Sequence, residues 1–562
     1  MTIGTTLVDL GLISSDQLQT AEAEHRSTGE RLDRVLVRRG FLSRDQVLES
    51  LGEHFHMAVV DLATVEVEPK VLETLPAKLV YRQSCVPIGQ TADRLTIATS
   101  DPFNLDALDE LRLVTGCAID LVLADEDELR KFIRTHYGVG SDTLDQMSAD
   151  ADATAPEATD SSTAGEIEQA QEASVIKLVN DLLIEAVNER ATDVHIEPYE
   201  HELNVRYRID GVMQRANVPP TIHRFGAAIV SRLKIMANLN IAEKRLPQDG
   251  RITFRYRGER GGMQEFDLRV SVIPMLFGEG VVLRILSKTA VLMSLNELGM
   301  PDTVLSRWDK LIQRPHGILL VTGPTGSGKS TTLYGSLNRI VSDEIKVITV
   351  EDPVEYHVPG VNQIQVHARV GLTFSAGLRS ILRHDPDVVM IGEIRDRETA
   401  EIAVQASLTG HLVFSTLHTN DASGSITRLL DMGVEPFLVA SSVEGVLAQR
   451  LVRRVCEVCA ESYEPETADV PPDFDLAKGA TLTRGTGCRA CRETGFRGRL
   501  GIYELLSMDD ELREMVMERV NAPRITAAAI KNDHLHTLKQ DGYAKTRAGL
   551  TSITEVMRAL AV

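Results

Sequence analysis

Residues 317–332 read Gly-Ile-Leu-Leu-Val-Thr-Gly-Pro-Thr-Gly-Ser-Gly-Lys-Ser-Thr-Thr. An apolar run leads into a glycine-rich loop and then into a helix-forming stretch ending near Ile340, and the pattern G-x-x-x-x-G-K-[ST] is complete. Gly323, Gly326 and Gly328 let the backbone turn tightly with its N–H groups inward, so the loop and the next helix N-terminus surround phosphate oxygens. Pro324, Thr325, Ser327 and Thr331 complete the cradle. Lys329 reaches the β and γ phosphates of a nucleoside triphosphate, and the hydroxyl of Ser330 binds Mg²⁺. The stretch therefore predicts an α/β domain that binds ATP with Mg²⁺.

Working outward, three more stretches carry chemistry. Lys346-Val-Ile-Thr-Val350 is a buried-type strand that delivers Glu351-Asp-Pro-Val-Glu355 at its C-terminal end, where parallel α/β sheets bind ligands. Carboxylates there orient water on a γ phosphate or hold the Mg²⁺ shell. Asp387-Val-Val-Met-Ile391 is the expected metal-side strand, followed by Gly392-Glu393 in place of a terminal Asp. Gly410-His411-Leu-Val-Phe-Ser-Thr-Leu-His418-Thr419 is an apolar strand bracketed by histidines, each of which, on its own, reads as a packed residue more readily than as a catalyst.

The chain has 562 residues, enough for several domains, and its acidic residues outnumber Lys and Arg, 81 to 60, for a net charge of −21. That surplus repels phosphate backbones and argues against a nucleic-acid partner. The sequence holds no uninterrupted apolar run of about 18 residues and its N-terminus lacks a signal pattern, which predicts a cytoplasmic protein that meets membranes through partners.

Of six cysteines, Cys85 and Cys117 stand alone, while Cys456-Glu-Val-Cys459 and Cys488-Arg-Ala-Cys491 form two knuckles 28 residues apart. Four thiolates so arranged make a closed tetrahedral zinc site, expected where disulfides stay reduced; a redox pair is the alternative, for which two matched knuckles are unnecessary. Neighbouring Arg450, Arg453, Arg454, Arg484, Arg489 and Arg492 are expected to hold the thiolate form.

From Ser141 to Glu172 there are nine acidic residues and no Lys or Arg, the composition of a flexible tether, with an interaction tail as the alternative. Before it, Leu7-Val8, Gly11, Ile13-Ser14 and Asp16-Gln17 recur 29 residues later as Leu36-Val37, Gly40, Leu42-Ser43 and Asp45-Gln46, predicting two helical hairpins packed together. Val59 to Tyr137 alternates β-prone runs such as Leu95–Ala98 and Ala118–Leu123 with helical ones. After the tether, Val175, Leu178, Leu182, Leu183 and Ala186 share a helical face, and Asp193–Glu197, Leu203–Arg208 and Phe266–Ser271 alternate as strands of a second α/β domain. The expected segmentation is a helical repeat at 1–56, a small α/β domain at 57–138, an acidic linker at 139–172, an α/β domain at 173–295, the ATPase core at 296–450, a tetracysteine module at 451–499 and a helical region at 500–562.

These residues together resemble the secretion ATPase superfamily, the hexameric motors of bacterial type II secretion and type IV pilus assembly. Glu351–Glu355 looks like the family's Asp box, Gly392-Glu393-Ile-Arg-Asp396 like its variant Walker B, and Gly410–Thr419 like its His box. The resemblance implies an α/β multidomain fold: a RecA-like P-loop core, a PAS-like α/β domain before it, a zinc-binding insertion, and an N-terminal helical repeat plus α/β domain. It implies that Glu355 activates the attacking water, that Glu393 organises Mg²⁺ with Glu351 and Asp352 nearby, and that His418 joins the catalytic set. Arg269 and Arg284 match arginines that close over the phosphates as fingers.

A homo-hexamer is implied, working at the cytoplasmic face of the inner membrane with a platform protein and the cytoplasmic part of an inner-membrane assembly protein. Gln405–Gly410, Asp431–Leu438 and Gly445–Val452 look closer to type II secretion members than to pilus-extension members, which remain the alternative. A nucleotide-dependent scaffold without turnover is the alternative of another class. The N-terminal repeat resembles the twin cyclic di-GMP motif of some of these ATPases, but Thr2, Asp33, His25 and His54 depart from it while Arg31 agrees. A plain docking module is the other reading.

Overall fold

The two copies of the 29-residue repeat make the same turns. Gly11 N–H donates to Val8 O and Leu12 N–H to Leu7 O; Gly40 N–H donates to Val37 O and Phe41 N–H to Leu36 O. Both glycines sit at positive φ, 69° and 71°, which closes a helix at low steric cost. Ser14 with Gln17, and Ser43 with Gln46, then form matching capping boxes that start α1 (Ser15–Thr28) and α3 (Arg44–Phe55), with α2 (Leu32–Arg38) between them. Leu7, Ile13, Ala21, Val35, Leu36, Leu42, Val47 and Leu51 bury one another, so the hairpins pack together as the periodicity predicts.

The computed structural model of the protein describes residues 7–147, apart from 9–10, 29–31, 92, 103, 142 and 145–146, and residues 173–561, apart from 258–262, 288–292, 467–469 and 476–479. Thr2 and Arg31 of the dinucleotide-like motif, and the His54 side chain, lie outside the described residues. The chain divides into two units, Met1–Leu286 and Ser287–Val562.

In the first unit, β1 (Cys85–Gln90), β2 (Arg94–Thr99) and β3 (Ala118–Leu123) form a three-stranded sheet in that order, with α4 (Leu105–Thr115) and α5 (Glu126–Tyr137). Next comes α6 (Ala173–Asn188) and a six-stranded sheet of order β6-β5-β4-β9-β8-β7. Its strands are β4 (Ala191–Pro198), β5 (Leu203–Ile209), β6 (Val212–Arg215), β7 (Gln248–Arg257), β8 (Met263–Met275) and β9 (Gly278–Ser287), and α7 (Gly226–Met236) lies between β6 and β7. Val175, Leu178 and Leu182 of α6 bury against Val194, Ile196, Leu268, Val270, Val281 and Leu283. The period-2 alternation sends Asp193, Arg269 and Arg284 to the opposite face.

Three boundaries differ from expectation. Val139, Leu144 and Met147, assigned by composition to the acidic linker, are buried in the α6 core, because apolar side chains spaced through that stretch outweigh its charge; 148–172 lies outside the described residues. Leu295, Leu298 and Met300 pack with Trp308 in the second unit, so the 173–295 domain ends sooner. The expected limits of the tetracysteine module, 451 and 499, fall inside strands rather than between elements, because β15 (Val443–Val455) and β18 (Phe496–Ser507) run through both as one antiparallel ladder.

The second unit is built on a seven-stranded sheet of order β12-β11-β13-β14-β10-β15-β18, parallel except for β15 against β18. Its remaining strands are β10 (Gly317–Thr322), β11 (Val347–Glu351), β12 (Val361–Gln365), β13 (Val388–Ile391) and β14 (Leu412–Leu417); β10, β11, β13 and β14 are buried throughout. Such strands read as continuous apolar runs because helices cover both faces. Among those helices are α8 (Asp302–Ile312), α9 (Lys329–Ile340), α10 (Phe374–Ile381), α11 (Arg397–Leu408), α12 (Ala422–Asp431) and α13 (Pro436–Ser442). The C-terminal helices α14 (Asp510–Met517), α15 (Ala522–Lys531), α16 (Leu538–Arg547) and α17 (Ile553–Leu560) bury Leu512, Ile525, Tyr543 and Val556 in the same core.

Candidate active site

All four motif loops leave the C-terminal ends of parallel neighbours: the phosphate loop from β10, the Asp-box segment from β11, Gly392-Glu393 from β13 and His418-Thr419 from β14. The phosphate loop turns through Gly323, Gly326 and Gly328 at φ 148°, 80° and 89°. A Cβ on Gly323 would stand 2.5 Å from both Gln449 O and Ser327 Oγ, and one on Gly328 2.8 Å from Gln449 Nε2, so glycine is required where β15 presses on the loop. Gln449 is buried and accepts a 2.7 Å hydrogen bond from Thr332 Oγ1, tying α9 to β15.

Lys329 Nζ donates to Gly323 O at 2.8 Å and Pro324 O at 3.0 Å, which holds the ammonium over the loop. Burial lowers its pKa to about 8; Glu393 opposes the shift and the Arg450 guanidinium adds to it. An anionic ligand would reverse this cost, as expected of a lysine placed for phosphates. Ser327 Oγ is buried with no hydrogen-bond partner among the described residues, a donor poised in the same loop. These features fit a bound triphosphate.

Glu393 faces this loop. Its Oε2 lies 3.3 Å from His418 Nε2, and its other oxygen pairs with Arg395. Thr322, at the end of β10, accepts from Thr419 N–H at 3.0 Å and donates to the Leu417 and Thr419 carbonyls, which locks the His418 turn to the phosphate-loop strand. His411 behaves differently: its Nδ1 meets Ala406 O at 2.8 Å at the end of α11, and it takes no part in the site.

Glu351, expected in the catalytic set near the metal, is placed inside the protein. It is buried and accepts from the Tyr334 hydroxyl, Thr349 Oγ1 and, at 3.1 Å, Gln363 Nε2, so its lone pairs are spent on the protein. Tyr334 OH in turn accepts from Glu355 N–H at 3.3 Å, linking the buried carboxylate to the backbone of Glu355. Burial, and then the Glu351 charge, push the Tyr334 phenol far above its usual range, so it stays a neutral donor.

Arg269 and Arg284 belong to the first unit. They project from neighbouring strands β8 and β9, and Arg284 Nε donates to Asp193 Oδ1 at 3.0 Å while its side chain stays half exposed. Tyr334 and Gln449 were not singled out from sequence, and Arg450 was assigned to the cysteines rather than to this site. A polar Gln-Arg pair inside the apolar run Val446–Val452 is the one signal that could have found two of them.

The four cysteines meet as expected. Cys456 to Cys488 and Cys459 to Cys491 are 3.8 Å between sulfurs, Cys488 to Cys491 3.7 Å, and all four lie within 4.8 Å of one another. Zinc–sulfur bonds of about 2.3 Å in a tetrahedron require sulfur separations of roughly 3.8 Å, so this donor set fits zinc. Burial pushes Cys459 up to about 12. It raises Cys491 as well, but the Cys488 and Gly495 N–H groups, each 3.2 Å from Cys491 Sγ, bring that thiol down to about 7. Three of the six arginines expected to help are engaged elsewhere: Arg450 donates to Asn420, Arg453 pairs with Glu555, and Arg484 pairs with Glu461, while the Arg489 side chain lies outside the described residues.

The family described as "Type II/IV secretion system protein" matches residues 168–558, and the MshEN domain family matches residues 55–143. The type IV pilus assembly ATPase PilB of Myxococcus xanthus is 42% identical over 99% of this chain and 98% of its own. Type II secretion system protein E of Xanthomonas campestris pv. campestris is 42% identical over 98% of this chain and 96% of its own. Among solved structures, the Yersinia pseudotuberculosis ATPase DotB superposes with a TM-score of 0.51 at 20% identity, over 68% of this chain and 92% of that one, a likeness of fold. With its phosphate loop, facing glutamate and histidine turn at the C-terminal ends of neighbouring strands, the chain belongs to the type II/IV secretion system protein family and is one of its ATPases.

Proposed function

We propose that this chain is the ATP-hydrolysing motor of a type II secretion system, assembled as a homo-hexamer at the cytoplasmic face of the inner membrane. The observation that carries the reading is the convergence of Lys329, Glu393 and His418 at the ends of β10, β13 and β14. In this mechanism Lys329 and the loop N–H groups hold the β and γ phosphates, and Mg²⁺ at Ser330 supplies charge neutralisation when bound. Glu355 takes the proton of the attacking water, Glu393 and His418 orient the γ-phosphate side, and ADP and phosphate leave. Glu351 acts through Tyr334 as a positioning residue. Arg269 and Arg284 stabilise the transition-state charge only in the closed state, a contribution of about 10³–10⁵ in rate. Closure and release of the 173–286 domain supply the motion passed to the platform protein and the assembly protein, and zinc, when held by Cys456, Cys459, Cys488 and Cys491, would stiffen their module.

No helix among the described residues is long and apolar enough to cross a membrane, which agrees with attachment through partners. Pilus extension is the alternative, supported by the PilB relative at equal identity. Deletion of the gene separates them: loss of exported protein with pili intact supports the first, and loss of pili the second. The scaffold reading is tested by Lys329→Ala, which is expected to abolish slow ATP turnover; wild-type turnover no greater than the variant's, with the platform protein present, favours the scaffold. The paired turns at Gly11 and Gly40 serve docking in this reading. Calorimetric titration of the full chain with cyclic di-GMP decides against the dinucleotide role if no heat appears.

A further inference from the structure

Glu504 lies on β18, 5% exposed, and its two oxygens go to two different helices. Oε1 accepts from Ala422 N–H at 2.9 Å, the first N–H of α12, and Oε2 from Leu538 N–H at 3.2 Å, the first N–H of α16. Each is an orphan donor at a positive helix end, which suits a buried carboxylate. Ala422 lies four residues beyond His418. The intervening turn is held at Thr419 by Thr322 and at Asn420 by Arg450, whose Nη2 donates to Asn420 O at 3.0 Å and to Asn420 Oδ1 at 3.1 Å. Glu504 is therefore the third tether of the His418 turn, and it joins that turn to the C-terminal helices.

We propose that Glu504 is a positioning residue for ATP hydrolysis, fixing the His418 turn against Glu393 through the first N–H of α12. The His418–Glu393 separation of 3.3 Å is at the long end of a hydrogen bond, so a small shift of Ala422 removes it. The proposal rests on the role given above to His418, and the test separates the two.

Glu504→Gln keeps the volume, but its amide nitrogen faces one N–H donor and can no longer accept from it. The expected result is a fall in kcat of about tenfold at unchanged KM for ATP, the scale of one lost hydrogen bond to a charged acceptor. In a His418→Ala background the same change should cost less than about twofold, since coupled sites are not additive. An equal factor in both backgrounds, a loss seen in KM alone, or no loss overturns the assignment. A His418→Ala chain with full kcat overturns the role of His418 itself and this inference with it. Should Glu504→Gln not purify folded, Ala422→Pro removes the same N–H from the other side at a helix position that tolerates proline, and must reproduce the kcat loss. Full kcat in that variant also refutes the assignment.

Discussion

At Tyr334 one hydroxyl does two tasks: it donates to the buried Glu351 carboxylate and accepts from Glu355 N–H. Tyr334→Phe keeps the ring and its edge-on contact with Tyr356, 4.6 Å between centroids, while removing both bonds. Loss of about 1–2 kcal/mol of positioning predicts a fall in kcat of roughly five- to thirty-fold with nucleotide affinity preserved, read by steady-state ATPase assays beside equilibrium binding of a fluorescent ATP analogue. Residues of this kind are silent in sequence. Lys329 and its glycines announce themselves because a phosphate cradle needs contiguous backbone, whereas Tyr334, Gln449 and Glu504 gain their roles from partners 17 to 117 residues away. Glu351 shows the opposite error: its position at the end of a strand suggested catalytic carboxylate chemistry, but β11 is buried on both faces to its last residue and Tyr334, Thr349 and Gln363 take the carboxylate.

The elements were read more easily than their limits. Apolar runs marked β10, β11, β13 and β14, and the spacing of the cysteines marked a single cluster, but nothing local told that β15 and β18 pair through the supposed edges of the cysteine module. The ribbon of β16 (Ala460–Tyr463) and β17 (Leu482–Gly485) sits between the knuckles and exposes much of its length. Cys491→Ser removes a thiol whose ionisation is favoured by two N–H groups that donate to its sulfur. If the four cysteines hold one zinc, elemental analysis should find one equivalent in the parent chain and none in the variant, which should become cleavable by protease between residues 456 and 495. Nucleotide binding should persist, because Gln449 sits in the fully buried stretch of the ladder. Retained zinc would require a different donor set.

For the whole molecule, separate cores account for the two units, and the arginines assigned to hydrolysis stand in the unit that lacks the phosphate loop. Arg284→Ala in the full chain should therefore keep ATP binding while turnover falls by about 10³, measured by phosphate release under saturating ATP. Equal losses in binding and turnover would mean that Arg284 serves only its ion pair with Asp193. The β15–β18 ladder has a mechanical side as well. It is registered from Gly445 opposite Ser507 to Val455 opposite Phe496, with Gln449 rooted behind the phosphates and Cys456 just past the other end. Seven residues of strand at about 3.3 Å each separate those two points by roughly 23 Å. One continuous length of backbone therefore joins the residue that presses on the phosphate loop to the first cysteine of the knuckle, so the two sites share a single covalent span.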